Sequence, residues 1–256
     1  MTFISARLHQ FAYFDAQLGH PDWAGKRVLD FGGNVGNLLL DPDCAIEHDK
    51  YWSLDVSRDA IAEGRRRYPD AHFVFYDRYN FEFNPGGTRG LPVPDLGQRF
   101  DIALAWSVFT HTSKAETLEL VESLESLLTG DGVLAFTFID PYFQPPEGWA
   151  WEWEAPGQDN LRWRLEARRK VNPAVDVEAL ATAAGSDIAW ATLVNDDELH
   201  LDPDDDGIGE GKQTRAYITF AAEDCVRSLF PRAEVLPPIR PERQSCCVLR
   251  RRAAGR

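Results

Sequence analysis

Ten consecutive residues at positions 100–109, FDIALAWSVF, carry only two polar side chains, Asp101 and Ser107. A strand that is apolar on both faces has to be covered on both. A parallel sheet flanked by helices achieves this, and a half-solvated antiparallel sheet does not. Four further segments read as strands of the same kind: RVLDF (27–31), YWSLDV (51–56), HFVFYD (72–77) and VLAFTFID (133–140). Ser57 is a natural N-cap ahead of RDAIAEGRRRY. Ser113, with Glu116 three residues on, forms a capping box ahead of the amphipathic run SKAETLELVESLESLL, which stops at TGDG. Leu8, Phe11, Phe14 and Leu18 have helical spacing and predict a helical lead-in. The resulting order, β-α-β-α-β-β-α-β, predicts a doubly wound α/β sheet.

After Asp140 the rhythm stops. It resumes with TFAAEDCVRSLFP as a helix, then AEVLPPI and SCCVLRR as strands. At 256 residues the chain suits one large α/β domain, 1–256, with an insertion at 141–213. The insertion holds five of the eight tryptophans. In GWAWEWE, Trp149, Trp151 and Trp153 alternate with Ala150, Glu152 and Glu154. In LRWRLEARR, Leu161, Trp163 and Leu165 alternate with Arg162, Arg164 and Glu166. Period two on both sides of APGQDN predicts a β-hairpin with one aromatic face and cross-strand Glu–Arg pairs on the other. The aromatic face suits either packing on the protein's own core or a lid. In a lid, Trp149, Trp151, Trp153 and Trp163 would bind a flat or apolar acceptor.

The net charge of −14 argues against a nucleic-acid partner, which needs clustered positive charge. Basic clusters stand at 65–67, 168–170 and 250–252; the first, on a predicted helix, and the last, after the final strand, read as solvated faces. A small-molecule partner fits better. No apolar run reaches the about 18 residues of a membrane span, the N-terminus is polar within its first ten residues, and the four cysteines lack CxxC spacing. A cytoplasmic location with reduced core thiols follows. In HLDPDDDG, following His200, residues Asp202, Asp204, Asp206 and Gly207 match the start of a calcium loop. The twelfth position is Gln213 instead of Glu, so a solvated loop without metal is expected.

The stretch RVLDFGGNVGNLL ends a strand on Asp30 and then places Gly32, Gly33, Asn34 and Gly36 in five positions. Glycine lets a ligand approach the backbone closely. A dinucleotide site wants GxGxxG, and this loop lacks that spacing. Asp55 and Asp77 close the next two strands, so three strand-end carboxylates fall on one edge of the sheet. Here the chain resembles the class I S-adenosylmethionine-dependent methyltransferases, whose first motif reads (D/E)xGxGxG. Asn34 takes the place of the middle glycine, and asparagine tolerates positive φ better than most residues. The FDIALAWSVFTHT, LESLLTGDGVLAFTF and YITFAAEDCVRSLF…AEVLPPI…SCCVLRR segments resemble the family's later strands and helices.

The resemblance implies a seven-stranded sheet of order 3-2-1-4-5-7-6, its last strand antiparallel, with a partly β insertion after strand 5. It implies S-adenosyl-L-methionine as cofactor, held by Asp30, Gly32, Gly33, Asn34 and Gly36 at the first motif. Asp55 with Val56 would receive the ribose hydroxyls, and Asp77 with the backbone of Arg78 the adenine. Trp106 and Ser107 would lie against the methionine portion. The implied activity is methyl transfer to a small molecule, a specialised metabolite. The alternatives on this fold are a non-methylating enzyme that retains the cofactor, an aminopropyl transferase, or a silent binding module. The (N/D)PP(Y/F) signature of amino-methylating enzymes is missing: WSVF follows the fourth strand, and DPYF at 140–143 lacks a proline and follows the fifth. His111, Asp140 and Tyr142 are the catalytic candidates on the strand-end rim. His111 would act as a general base or, alternatively, cap the following helix.

Overall fold

The computed structural model describes residues 9–146, 158–185, 187–195, 198–201, 217–240 and 242–251. In chain order these form α1 (Gln10–Gln17), β1 (Val28–Phe31), β2 (Tyr51–Asp55), α2 (Arg58–Arg67), β3 (His72–Phe75), β4 (Phe100–Ala105), α3 (Lys114–Ser126) and β5 (Leu128–Phe138). There follow α4 (Asn160–Val171), α5 (Val177–Ala184), β6 (Trp190–Val194), β7 (Glu198–His200), β8 (Tyr217–Ala221), α6 (Glu223–Leu229), β9 (Glu234–Leu236) and β10 (Ser245–Arg250). Seven strands make one sheet in the order β3-β2-β1-β4-β5-β10-β9, which is the order expected. Strands β1 to β5 pair in parallel, and the far strands make the sheet mixed. The chain divides into two compact units, Met1–Val108 with Glu119–Phe136 and Val248–Arg256, and Phe109–Leu118 with Thr137–Cys247.

In the first unit, all four residues of β1 are buried, and Ala103 and Leu104 of β4 are buried beside them. This is the two-sided covering that the apolar run demanded. Ser57 caps α2 as expected, its Oγ accepting the Ala60 N–H at 3.2 Å. The first crossover differs from the expected rhythm. Two short 3-10 turns, Asn37–Leu40 and His48–Lys50, join β1 to β2 without an α-helix. Buried Asp41 takes over this segment by accepting the N–H groups of Asp43 and, from α1, Ala12 at 3.1 and 3.0 Å, and Pro42 follows it. The TGDG stretch is also not a turn before β5. It forms a bulge inside that strand, because Phe100 pairs with Leu128 while Ile102 pairs with Val133.

The second unit has its own core. β7, β6 and β8 form a three-stranded antiparallel sheet, against which α4 and α5 bury Leu161, Leu165, Val177 and Leu180 alongside Leu193 and Phe220. Ser113 and Glu116 form the expected capping box at the start of α3, with bonds of 3.2 and 3.4 Å. The expected insertion, 141–213, falls within this unit. Its β content is β6 and β7, which lie C-terminal to the predicted hairpin. Beyond the insertion, TFA (219–221), read as the start of a helix, belongs to β8, and α6 starts only at Glu223. The second arm of the predicted hairpin is the helix α4, capped by Asp159, whose Oδ1 accepts the Arg162 N–H at 2.8 Å. Leu161 and Leu165 satisfy period two, but they are also four residues apart and bury one helical face. The Arg–Glu pairing is helical as well, between Arg169 and Glu166 in α4 and between Arg162 and Glu178 of α5. The first arm, with Trp149, Trp151 and Trp153, lies outside the described residues.

Candidate cofactor site and acceptor-side groups

The glycine loop leaves β1 and doubles back at once. Gly32, Asn34 and Gly36 have φ of 77°, 52° and 89°, so Asn34 adopts the left-handed conformation its place in the motif called for. The Gly36 and Asn37 N–H groups both donate to the Gly33 carbonyl, at 2.9 and 3.0 Å. The protein's own packing demands two of these glycines. A Cβ on Gly32 would stand 2.4 Å from Val108 Cγ2, and one on Gly33 would stand 2.5 Å from Asp30 Oδ2.

Asp30 therefore lies beneath the loop. It is 1% exposed, and its Oδ2 accepts the Tyr51 hydroxyl at 2.5 Å. The parallel register pairs Val28 with Tyr51 and Asp30 with Ser53, which brings Tyr51 within reach. Burial raises the Asp30 pKa to about 7. The Tyr51 hydrogen bond opposes that rise and the Asp55 carboxylate adds to it. Asp30 thus carries the loop from below. Tyr51 was not singled out in the sequence, where it reads only as a strand aromatic.

Asp55 ties the loop to the next turn. Its Oδ2 accepts the Asn34 N–H at 2.8 Å, its Oδ1 accepts the Ser57 N–H at 2.7 Å, and the Val56 N–H also bonds it. Each carboxylate oxygen keeps a further lone pair, so hydroxyl donors can still be received. Burial raises its pKa, against the three backbone donors. Beside it, the Asn34 Oδ1 is buried and accepts no hydrogen bond. A buried acceptor without a donor is costly unless a ligand supplies one. The ammonium and ribose hydroxyls of S-adenosylmethionine are such donors, so the residues present fit that group.

Asp77 lies two residues past β3. Its Oδ1 receives Asn84 Nδ2 at 3.1 Å and Arg58 Nη2 at 3.4 Å, and half of its side chain remains exposed. The Arg78 side chain turns inward, where it is 4% exposed and forms a two-pronged ion pair with Glu119, both contacts at 2.9 Å. That pair holds the Glu119 carboxyl below its usual pKa. The guanidinium is structural, and only the Arg78 backbone is left for the ligand role implied by the resemblance. Trp106, at the end of β4, is buried edge-on against Tyr13 and Phe14 of α1, with centroids 4.8 and 5.8 Å away. Ser107 follows at φ 55°, a left-handed conformation uncommon for a residue with a side chain. It leads into Val108, the residue under which Gly32 is fitted.

In the second unit, His111 ends a short 3-10 turn, and its Nδ1 lies 2.7 Å from the Tyr217 carbonyl oxygen. A carbonyl only accepts, so Nδ1 carries the proton and Nε2 the lone pair. His111 keeps an exposed edge. Crowding by protein nevertheless lowers its pKa, the Tyr217 bond opposes the shift, and repulsion from Arg164 adds to it. Asp140 and Tyr142 share one turn, with the Tyr142 N–H donating to Asp140 Oδ1 at 3.0 Å. Burial raises the Asp140 pKa, and the carboxylates of Glu223 and Asp224 add to it. The Tyr142 hydroxyl accepts the Ile188 N–H.

The Trp163 ring of α4 meets two guanidinium groups, those of Arg164 and Arg243, at 4.6 and 4.7 Å from its centroid. Arg164 carried no functional signal in the sequence, because its alternation with Leu and Trp read as half of a cross-strand pair. The acidic loop with Asp202, Asp204 and Asp206 lies outside the described residues. Among the described residues, no three His, Cys, Asp or Glu side chains gather as metal ligands, and no helix is long and apolar enough to cross a membrane. The four cysteines are free thiols, with Cys246 and Cys247 buried in β10.

Residues 29–134 match a family model described as a methyltransferase domain. No curated protein matches the chain. Several solved structures share its fold. DesVI of Streptomyces venezuelae is 16% identical with a TM-score of 0.50, over 95% of this chain and 92% of that one. An S-adenosylmethionine-dependent methyltransferase from Clostridium acetobutylicum is 9% identical with a TM-score of 0.51, over 94% and 89%. The glycopeptide N-methyltransferase MtfA, solved with S-adenosyl-L-methionine, is 12% identical with a TM-score of 0.51, over 93% and 91%. The domain match covers the glycine loop and the strands that carry Asp30 and Asp55, and the sheet order is that of the same fold. Residues 29–134 thus match a methyltransferase domain, and the sheet that carries them has the fold of the S-adenosylmethionine-dependent methyltransferases.

Proposed function

We propose that the chain methylates a small-molecule acceptor, a specialised metabolite, with the cofactor held on the first unit by the glycine loop, Asp55, Asp77, Trp106 and Ser107. The observation that carries this reading is the loop itself. It is held in shape by Asp30 and Asp55, and it presents in Asn34 Oδ1 a buried acceptor that a donor on the cofactor would satisfy. When bound, S-adenosylmethionine supplies an electrophilic methyl group on a sulfonium. Asp30 supports the loop from beneath, Asp55 fixes Asn34 and receives hydroxyl protons, and the left-handed Ser107 shapes the end of β4. The net charge of −14 favours a small acceptor over a polyanion.

His111 has the protonation state of a general base. Its imidazole is neutral, its Nδ1–H is anchored on Tyr217, and Nε2 is left to take a proton from the acceptor. Asp140 and Tyr142 position the turn after β5. The test has two stages. Titration calorimetry with S-adenosylhomocysteine on the folded protein should show stoichiometric binding, and its absence would overturn the cofactor assignment. Incubation with S-adenosylmethionine and a panel of phenols, amines and hydroxy acids should then yield S-adenosylhomocysteine together with a product heavier by one methyl group. Nucleoside or oligonucleotide methylation in place of small-molecule turnover would overturn the acceptor class.

A further inference from the structure

The buried Arg78 of the first unit has Glu119; Arg164 of the second has no such partner. Its Nε is buried without a hydrogen-bond partner, and among the described residues its guanidinium makes no hydrogen bond or ion pair. Its neighbours aggravate the situation. Arg243 lies over the same Trp163 ring, so two like charges share one aromatic side chain, and Glu242 compensates only through space. Burial, followed by the repulsion from Arg243, pushes the Arg164 pKa down to about 10. Arg243 is better served, with contacts to Asn160 Oδ1 at 3.4 Å and the Gln158 carbonyl at 3.5 Å. His111 feels the Arg164 charge, which places the two groups in one neighbourhood.

Arg164 is partly exposed, so its outer guanidinium nitrogens reach solvent while the buried Nε–H is left without an acceptor, which is costly unless a ligand supplies one. A fold keeps such a group where something else supplies the anion. A guanidinium edge is a planar fork of N–H donors that matches a carboxylate in two-pronged fashion, and the Trp163 face beside it suits a flat ring. We propose that Arg164, with Trp163, is the binding site for a carboxylate on the methyl acceptor, so that the acceptor is an aromatic or otherwise flat acid. This deepens the small-molecule reading given above and rests on it. It also separates two roles within the second unit, anchoring by Arg164 and proton removal by His111.

The experiment uses the full chain saturated with S-adenosylhomocysteine, so that loss of the cofactor site is scored first and separately. Benzoate, its neutral isostere benzamide, and inorganic phosphate are titrated by calorimetry and by thermal shift. Benzoate should bind at least about tenfold more tightly than benzamide, and phosphate should bind no better than benzamide. Arg164→Gln should abolish the preference for benzoate while leaving S-adenosylhomocysteine affinity unchanged. Arg164→Lys, which keeps the charge but loses the fork, should retain only part of it. Equal binding of benzoate and benzamide to the wild-type protein would overturn the proposal without any variant having to fold. So would an Arg164→Gln protein that keeps the benzoate preference, or a site that takes phosphate in place of benzoate.

Discussion

The two units of this protein treat buried polar groups in opposite ways. In the first, the ionisable groups around the glycine loop are satisfied from within: Asp30 by the Tyr51 hydroxyl, Asp55 by the backbone of Asn34, Val56 and Ser57, and Arg78 by Glu119. In the second, the Arg164 Nε is buried without an acceptor beside a second cation, and His111, its pKa lowered, keeps one ring nitrogen unused by the Tyr217 bond. The difference teaches that the cofactor half is preorganised by the protein's own hydrogen bonds. The other half keeps polar groups unmatched, which is what the proposed acceptor site requires. Preorganised donors and acceptors cost no rearrangement when the ligand arrives.

The sharpest way to break the first half alone is Gly32→Val. A β-branched side chain at φ 77° is strained, and its Cβ would run into Val108 Cγ2. Strain and overpacking together should cost about 4 kcal/mol, seen in calorimetry as a roughly thousandfold loss of S-adenosylhomocysteine affinity. Normal affinity in this variant would show that the loop does not carry the site. His111→Gln probes the other half: turnover should fall at least about 100-fold while cofactor affinity holds. A near-normal rate in the folded variant would assign His111 to the anchoring of Tyr217. Because crowding by protein around its inner edge lowers the His111 pKa, the acid limb of kcat/KM should lie below the ordinary histidine range if His111 is the base.

Asp30→Asn tests the support beneath the loop. Asp30 holds its proton to about pH 7 when folded but only to its ordinary value when unfolded. Between those two values the native state binds more protons, so its contribution to stability is full at low pH and is lost as pH rises towards 7. Asparagine keeps an acceptor for Tyr51 and removes the titration. The variant should therefore gain roughly 2 kcal/mol relative to wild type on going from pH 5 to pH 7, measured by urea unfolding at both values. A constant difference would place the Asp30 pKa near normal and refute the buried geometry. The smallest effect expected is that of Glu119→Gln, which weakens a pair whose acid is half exposed. About 1 kcal/mol should be lost in urea unfolding, with cofactor affinity unchanged. A fall in affinity would give Arg78 a role in the site beyond the fold.

The contrast also separates what is readable from what is not. Asn34 in the left-handed conformation, the Ser57 cap and the Ser113–Glu116 box follow rules that act over a few residues, and each was legible from its neighbours. The tryptophan segment was not. Leu161 and Leu165 satisfy strand and helix periods alike, and only their burial against α5 and the three-stranded sheet decides for the helix. The missing helix after the glycine loop turns on Asp41, whose side chain bonds α1 across 29 residues.

By itself, then, the sequence determined the class of fold and pointed to the glycine loop as the candidate cofactor site. Strands apolar on both faces require a covered parallel sheet, and glycines after a strand-end carboxylate require a loop that a ligand can approach. These requirements are local and independent of partners distant in the chain. Only the tertiary structure decided that Asp30 faces inward to Tyr51, that Arg78 serves Glu119, and that Arg164 meets Arg243 over one tryptophan. Each of these depends on the energy of burying a charge, which is set by whatever the fold brings within a few ångströms and is written in no single stretch of the chain.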